Sequence, residues 1–310
     1  MKIQSRIWIL LLAVIPFGCG QEKNSFTDTA TTGSIHIVAD DAYKPVVEAE
    51  LNVFQALYRN AHVQVKYETE DSVFKDLLAS DTIRFAVTAR KLTKEELDYF
   101  HSKTYYPEQT KIATDAMVLI VNNNNPDSLL TLDKVKAIFS GQDSTWVNID
   151  PKSKLDKISV VFDHEKSSNS RYIKDSILNG GKFPSYCFAV KGNKEVIDYV
   201  SKNENAMGVI SVNWISDNYD STVMRFLSQV RIVAISRKES NNINDYYQPF
   251  QAYLKMNQYP LCRNVYIIKR EARTGLGSGF VSYITSEQGQ RIILRAGLLP
   301  ATVPTEIIKY

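Results

Sequence analysis

Histidine and cysteine are scarce in this sequence, with four histidines and three cysteines in 310 residues. No histidine has a cysteine or a second histidine at the spacing of a metal-binding motif, which excludes the common zinc-site patterns. The Gly-x-Ser-x-Gly pattern of a nucleophile elbow is also missing, and His164 has no carboxylate partner at a motif spacing. We therefore expect no metal, no cofactor and no enzymatic activity.

A strong excess of either charge is absent as well. Lysine and arginine number 37 and aspartate and glutamate number 34, which gives a formal net charge of +3. No long basic block or aromatic-plus-basic ladder accompanies this small excess, so nucleic acid is not an expected partner. The hydrophobic share of 44% is ample for a core, and the length alone allows one large domain or two lobes.

A bilayer-spanning apolar run is missing from the N-terminus, where Lys2 and Arg6 precede only the short run Ile7–Phe17. This pattern predicts a secretion signal over residues 1–19. The small residue before Cys19 resembles a bacterial lipobox, in which Cys19 becomes lipidated; the alternative is an ordinary signal peptide with an incidental cysteine. Residues 20–33 are poor in apolar side chains and are predicted to be a flexible tether.

Two cysteines, Cys187 and Cys262, remain in the rest of the chain. An envelope protein could join them, but the sequence equally allows two buried thiols.

Three apolar, strand-like runs each end in a polar turn that leads into a helical pattern. The central one is Val160–Phe162, followed by a turn rich in serine and asparagine and then by apolar residues at helical spacing. In an open α/β sheet such turns lie at the carboxyl ends of strands, where ligands usually bind, so we expect the three to converge. Their candidate ligand-binding residues are Asp40, Asp41, Ala42, Tyr43, Thr88, Arg90, Ser167, Ser168, Asn169 and Arg171.

Each turn also has a purely structural interpretation. The serines and asparagine are good N-caps, and the two aspartates suit a solvated turn. Arg90 could instead form an ion pair with Glu95 or Glu96, which begin the next helix behind a capping box at Thr93.

Five stretches occur in an order that resembles the solute-binding proteins of phosphate ABC transporters, in the form found as lipoproteins of Bacteroidetes. Ser167–Asn169 stands where that family usually has Ser-Gly-Thr, and Leu132–Trp146 contains Ile-Phe-Ser-Gly before its tryptophan. The other three stretches are Asp40–Pro45, Phe85–Leu92 and Tyr259–Arg263.

The resemblance implies an α/β fold of the two-lobed, type II periplasmic binding protein class, with a ligand cleft between the lobes. Lobe 1 would comprise residues 34–117 and 264–310, and lobe 2 residues 118–263. It further implies a monomer in the cell envelope, facing the periplasm, with an ABC permease as its partner and a lipid anchor as its contact with the membrane.

Inorganic phosphate is the ligand that the resemblance implies. Asp163 stands where relatives commonly carry a phosphate-binding arginine, so we expect Arg90 and Arg171 to supply the bidentate contacts. We expect Asp40 or Asp41 to accept a hydrogen bond from a protonated phosphate oxygen, which sulfate does not offer. The alternatives are another small oxyanion or solute, or a sensor or adhesin-like binding lobe without transport.

Overall fold

A computed structural model describes residues 28–216, 224, 227–271 and 273–302. The predicted signal segment with Cys19 and residues 20–27 of the predicted tether lie outside the described residues. The strands are β1 (Gly33–Asp40), β2 (Ala61–Glu68), β3 (Ile83–Thr88), β4 (Glu108–Asn122), β5 (Leu129–Thr131), β6 (Ser159–Phe162), β7 (Cys187–Ala189), β8 (Ala206–Ser211), β9 (Val230–Ile232), β10 (Ala234–Ser236), β11 (Cys262–Lys269) and β12 (Leu299–Pro300). The helices are α1 (Lys44–Leu57), α2 (Glu70–Ala79), α3 (Lys94–Ser102), α4 (Leu132–Ser140), α5 (Trp146–Ile149), α6 (Ser168–Tyr172), α7 (Asn193–Lys202), α8 (Gln251–Lys255), α9 (Leu276–Thr285) and α10 (Glu287–Arg295).

Strand β4 joins two parts of the main sheet. Its first half pairs antiparallel with β11, ending at the register Ala116 to Cys262, and lies in sheet I, whose order is β2-β1-β3-β11-β4. Its second half begins at Met117, opposite Ser211, and lies in sheet II, whose order is β4-β8-β6-β7 with β9 also on β4. Residues 116–121 are fully buried, so the strand crosses between the two sheets through the core.

The first strand and helix show how the sequence shapes a ligand turn. β1 ends at Asp40, whose carboxylate accepts a hydrogen bond from the amide of Ala42 at 3.0 Å and starts a 3-10 turn over Asp41–Tyr43. Pro45 then occupies the first turn of α1, where its missing N–H costs nothing. The predicted order of strand, polar turn and helix is confirmed.

The local sequence decides two helix boundaries, of which the predicted capping box is confirmed. Thr93 and Glu96 form a reciprocal capping box at the start of α3. Helix α4 ends at Gly141, which adopts a left-handed conformation with φ of 83° and so terminates the helix without steric strain.

The structure departs from the predicted tether. Asp28 is buried, forms an ion pair with Arg273, and accepts a hydrogen bond from the amide of Leu276 at 2.9 Å. Its carboxylate therefore caps the first turn of α9, which otherwise has unpaired amides at its positive end. The ordered chain thus begins before residue 34, and residues 28–33 are not a free tether.

The apolar run 230–235 does not form one continuous strand. β9 pairs with β4, whereas β10 pairs with β5 in a separate two-stranded sheet. The amide of Val233, between them, donates to the carbonyl of Leu119. The chain therefore leaves sheet II at this point.

Candidate functional site

Two of the three predicted turns meet at a buried cluster. Arg263, on β11, donates from Nη2 to Oδ1 of Asn169 at 2.8 Å, and its guanidinium carbon lies 5.3 Å from the ring centroid of Tyr43. The arginine therefore contacts the turn after β1 and the start of α6, which follows β6. The same arginine is 6% exposed, while Tyr43 and Asn169 are completely buried.

The guanidinium of Arg263 is held in one orientation. Its Nε donates to Oδ2 of Asp115 at 2.9 Å, and the other oxygen of Asp115 accepts from the hydroxyl of Ser211 at 2.7 Å. Burial lowers the pKa of Arg263, but nearby Tyr43 and acidic groups raise it overall, so the side chain stays charged. With Nε and Nη2 occupied by protein acceptors, Nη1 remains as a donor without a partner.

Four other side-chain atoms in this neighbourhood are buried without a hydrogen-bond partner. They are Asp40 Oδ2, the Tyr43 hydroxyl, Ser168 Oγ and Asn213 Oδ1. Asn213 belongs to the cluster because its Nδ2 donates to the carbonyl of Ala42 at 2.8 Å. Buried polar groups cost free energy unless they are hydrogen-bonded, so donors and acceptors gathered in this way are suited to a small polar ligand. We call Asp40, Tyr43, Ser168, Asn213 and Arg263 the buried cluster.

Asp40 is an acceptor of this cluster whose pKa is strongly raised. Burial, followed by the repulsion of the nearby Glu70 carboxylate, raises the pKa of Asp40 to about 7, whereas Arg263 and the Ser168 hydroxyl act in the opposite direction. An acidic group in this state can accept a proton from a ligand or donate one to it.

Asp163 is part of the supporting structure. Its Oδ1 accepts from the hydroxyl of Ser167 at 2.6 Å, and its Oδ2 accepts from Nδ2 of Asn193 at 3.3 Å. Ser167 also caps α6 by accepting from the amide of Ser170. Burial raises the pKa of Asp163, but these donors hold the carboxylate in place. The aspartate at the position where relatives carry an arginine is therefore satisfied by its own chain.

The two arginines that we expected to bind the ligand are paired elsewhere. Arg90 donates to both carboxylate oxygens of Glu96, at 2.7 and 2.8 Å, and stacks over Phe74. Arg171 donates to both oxygens of Glu70, which is buried, and also contacts Asp175. Both guanidinium groups thus already donate to both oxygens of a carboxylate. The geometry therefore favours the ion pair as the role of Arg90, and it gives Arg171 the same role.

The remaining predicted residues lie around the cluster. Thr88 is buried and its hydroxyl donates to the carbonyl of Arg90 at 2.8 Å, so it shapes the second turn. Asp41 lines a neighbouring cavity of about 770 Å³, together with Asn193, Asn213 and Trp214. The hydrogen bonds of Thr88 and Arg90 therefore do not connect the turn after β3 to the buried cluster.

The turn after β1 also contacts the segment that follows β8. The carbonyl of Ala42 accepts from Asn213 Nδ2 at 2.8 Å and from Trp214 Nε1 at 3.0 Å. Asn213 and Trp214 lie on a 3-10 turn directly after a strand of sheet II, whereas Ala42 follows a strand of sheet I. These two bonds connect the two parts of the fold beside the buried cluster.

The sequence interpretation missed three residues of this region. Arg263 stands at the end of Tyr259–Arg263, a stretch that was noted only as one of the five that resemble the family. Glu70 opens α2 and Asn213 follows β8, and neither position carries a sequence signal of its own. The available clue in the sequence was Asp115, the only charged residue between Ile112 and Asn122 of β4.

No group of three or more metal-binding side chains is found among the described residues. In the same part of the chain, none of the helices has both the length and the apolarity needed to cross a membrane. Cys187 and Cys262 are both free thiols.

Comparison with known proteins gives one family and consistent relatives. The model of the PBP superfamily domain matches residues 24–288. The phosphate-binding protein PstS of Pseudomonas aeruginosa is 24% identical over 305 residues, covering 91% of this chain and 88% of the relative. The protein of the same name in Staphylococcus aureus is 23% identical over 286 residues, covering 91% and 81%.

Solved structures agree on the fold. A substrate-binding protein of Clostridium perfringens with bound phosphate has a TM-score of 0.72 at 22% identity, covering 87% of this chain and all of that chain. An ABC-type phosphate transport receptor from Vibrio cholerae has a TM-score of 0.63 at 19% identity, covering 86% and 100%. The predicted two-lobed α/β fold is confirmed. The chain belongs to the PBP superfamily.

Proposed function

We propose that this protein captures inorganic phosphate in the buried cluster and delivers it to an ABC permease. The observation that carries the proposal is the unpartnered Nη1 of Arg263, held between Asp115 and Asn169 and surrounded by further unpartnered polar atoms. Phosphate offers acceptor oxygens for Arg263 and Ser168 and, when protonated, a donor for Asp40. The names of the relatives, which are phosphate-binding proteins, support the same ligand.

Each residue then has a chemical role. Arg263 donates a charge-assisted hydrogen bond, Ser168 donates from its hydroxyl, and Asp40 accepts from a phosphate O–H. Because Asp40 would repel a fully ionised oxyanion at short range, the same residue favours phosphate over sulfate. Asp41, Thr88, Arg90 and Arg171 shape the surroundings.

The two lobes would consist of residues 34–117 with 264–310, and of residues 118–263. Ligand contacts from Asp40 on one side and Ser168 on the other would then exist together only in the closed state, with Arg263 at the boundary between the two lobes. A ligand that binds the closed state better shifts the population towards closure. The two hydrogen bonds to the carbonyl of Ala42 would form in the same movement.

The protein would act outside the cytoplasm, anchored to the membrane through lipidated Cys19 and facing the periplasm as a monomer. It would bind and release its ligand without chemical conversion. The signal-like pattern of residues 1–19 supports this placement.

Isothermal titration calorimetry of the mature protein, freed of bound ligand by unfolding and refolding, tests the proposal. We expect saturable binding of phosphate with a stoichiometry near one and no binding of sulfate at equal concentrations. Phosphate should also raise the melting temperature, since it binds only the folded state. The absence of both effects, with the protein folded, would reject phosphate as the ligand.

A further inference from the structure

A cavity next to the buried cluster has no role in the proposed function. It encloses about 770 Å³ and lies between α1 and α10 on one side and the start of α7 and the turn after β8 on the other. Asn213 lines this cavity and is also a member of the buried cluster. The volume is in the range of sites for small organic molecules and far exceeds what a phosphate ion occupies.

The boundary between the cavity and the buried cluster consists of short polar side chains. Asn193 lines the cavity, and its Oδ1 accepts from Nδ2 of Asn169 at 3.2 Å, next to Arg263. Nδ2 of Asn193 lies 3.5 Å from Oδ2 of Asp41, which is the outer limit of a hydrogen bond. At the same boundary, Oδ1 of Asn213 is buried without a partner. The boundary thus offers an unused acceptor and a weak contact that ligand atoms can replace.

Beyond this boundary the cavity combines a fixed aromatic wall with donors and acceptors. The indole of Trp214 lines the cavity and is held by the bond from its Nε1 to the carbonyl of Ala42 at 3.0 Å. Lys191 and Lys194 provide donors, and Asp41 provides an acceptor. Hydroxyl groups both donate and accept, while the carbon atoms that carry them can pack against the indole. The lining therefore suits a short hydroxylated carbon chain better than an apolar one.

The charges around the cavity nearly balance. Among the described residues, four cationic and three acidic side chains line it. One pair of them, Lys44 and Glu48, lies 4.0 Å apart on α1. Because neither sign dominates, the cavity favours a neutral substituent over a second phosphate or an ammonium group.

We propose that the protein also binds phosphomonoesters of small polyols, with the phosphoryl group in the buried cluster and the polyol in this cavity. The non-bridging oxygens of such an ester accept from Arg263 and Ser168, as those of inorganic phosphate do. The ester oxygen is directed to the boundary, and a hydroxyl on the adjacent carbon donates to Oδ1 of Asn213. The inference rests on the proposed function, because it uses the same phosphoryl site, and it extends the ligand class from the inorganic ion to its esters.

Calorimetric titration with sn-glycerol 3-phosphate, on the mature protein freed of bound ligand, tests the inference. We expect saturable binding, and added phosphate should raise the apparent dissociation constant of the ester in proportion to the phosphate concentration. Propyl phosphate, which lacks the hydroxyls, should bind about tenfold more weakly, because Oδ1 of Asn213 is then left without a partner. An assay for free phosphate in the ester solution ensures that hydrolysis does not imitate binding.

The two ligands together distinguish this inference from the proposed function. Saturable binding of phosphate with no displacement by millimolar glycerol 3-phosphate would overturn the inference and leave the proposed function intact. Binding of the ester without competition from phosphate would place it outside the buried cluster and would also overturn the inference. If neither ligand binds the folded protein, the proposed function and this inference fail together.

A substitution that fills the cavity separates the two ligands. Ala49 on α1 lines the cavity, so Ala49→Trp should weaken binding of glycerol 3-phosphate by about tenfold and change phosphate affinity less than about twofold. Ala56→Trp, at an exposed position of the same helix that does not line the cavity, is the matched control and should change neither affinity. Equal ester affinity in the two variants would contradict the inference. If Ala49→Trp fails to fold, the competition between the two ligands on the wild type decides alone.

Discussion

Two groups of arginine and acidic residues lie close to each other in this protein, and they differ in how many guanidinium donors the protein itself already uses. In the outer group, Arg90 and Arg171 direct their paired nitrogens at Glu96 and Glu70. In the buried cluster, Arg263 meets one carboxylate and one amide oxygen and retains one donor. The comparison teaches that the number of arginines near a cleft matters less than the number of donors left after the protein's own acceptors are satisfied.

The largest expected difference between the groups concerns phosphate affinity. Arg263→Lys keeps the charge and the possible ion pair with Asp115, but it cannot also serve Asn169 and a ligand, so we expect binding about 100-fold weaker, or ~3 kcal/mol. Arg171→Lys is the matched control and should change the affinity less than about threefold, because its guanidinium is directed at Glu70 and Asp175 and not at the buried cluster. Calorimetric titration of both variants measures the contrast, and equal losses would remove the distinction between the two groups.

A third region extends the comparison, because Glu50 on α1 is buried and both of its carboxylate oxygens lack a hydrogen-bond partner among the described residues. Burial raises the pKa of Glu50 from 4.5 to about 9. The folded state therefore binds this proton more tightly than the unfolded chain, so its stabilising contribution is complete below about pH 4.5 and is lost as the pH rises towards 9.

We expect Glu50→Gln to reduce the fall in unfolding free energy between about pH 5 and pH 9 by a few kcal/mol. Phosphate affinity should not change, because Glu50 lies outside the buried cluster. Urea denaturation across this pH range, with calorimetry at one pH, measures both quantities. A variant with the same pH profile as the wild type would show that Glu50 does not carry the buried proton.

The smallest expected effects separate two neighbouring serines. Ser168→Ala removes a hydroxyl without a partner, so phosphate should bind about tenfold more weakly, ~1.4 kcal/mol, with little change in stability. Ser167→Ala removes the cap of α6 and a bond to Asp163, so unfolding free energy should fall by about 1–2 kcal/mol with less effect on affinity. Urea denaturation measures the stability of the two variants, and titration measures their phosphate affinity. If Ser167→Ala lost affinity and Ser168→Ala lost stability, the ligand contact would belong to Ser167.

The sequence was informative wherever neighbouring residues decide the structure. The turn at Asp40 and the capping box at Thr93 depend on contacts within a few residues, and both were predicted correctly. Apolar runs and helical spacing likewise predicted the order of strand, turn and helix at the three ligand turns, because burial of one face follows directly from those periods.

The donors of the site depend on distant residues and were not predictable in the same way. Arg263 is oriented by Asp115 and Asn169, which lie 148 and 94 residues earlier in the chain. The sequence predicted that Arg171 would bind the ligand. In the fold its guanidinium nitrogens donate to Glu70, which lies 101 residues earlier in the chain. A local pattern shows that an arginine is near a ligand turn, but only the folded chain shows which of its nitrogens are already used.

The bonds between Ala42 and the residues after β8 have a consequence for how this fold can vary. The acceptor is a main-chain carbonyl, which every amino acid at position 42 supplies, whereas the donors are the side chains of Asn213 and Trp214. Substitution at position 42 can change the fit of the buried turn but cannot delete the acceptor. The side chains that determine the strength of this connection therefore lie only after β8. Changes at positions 213 and 214 can adjust it while Asp40 and Arg263 stay the same.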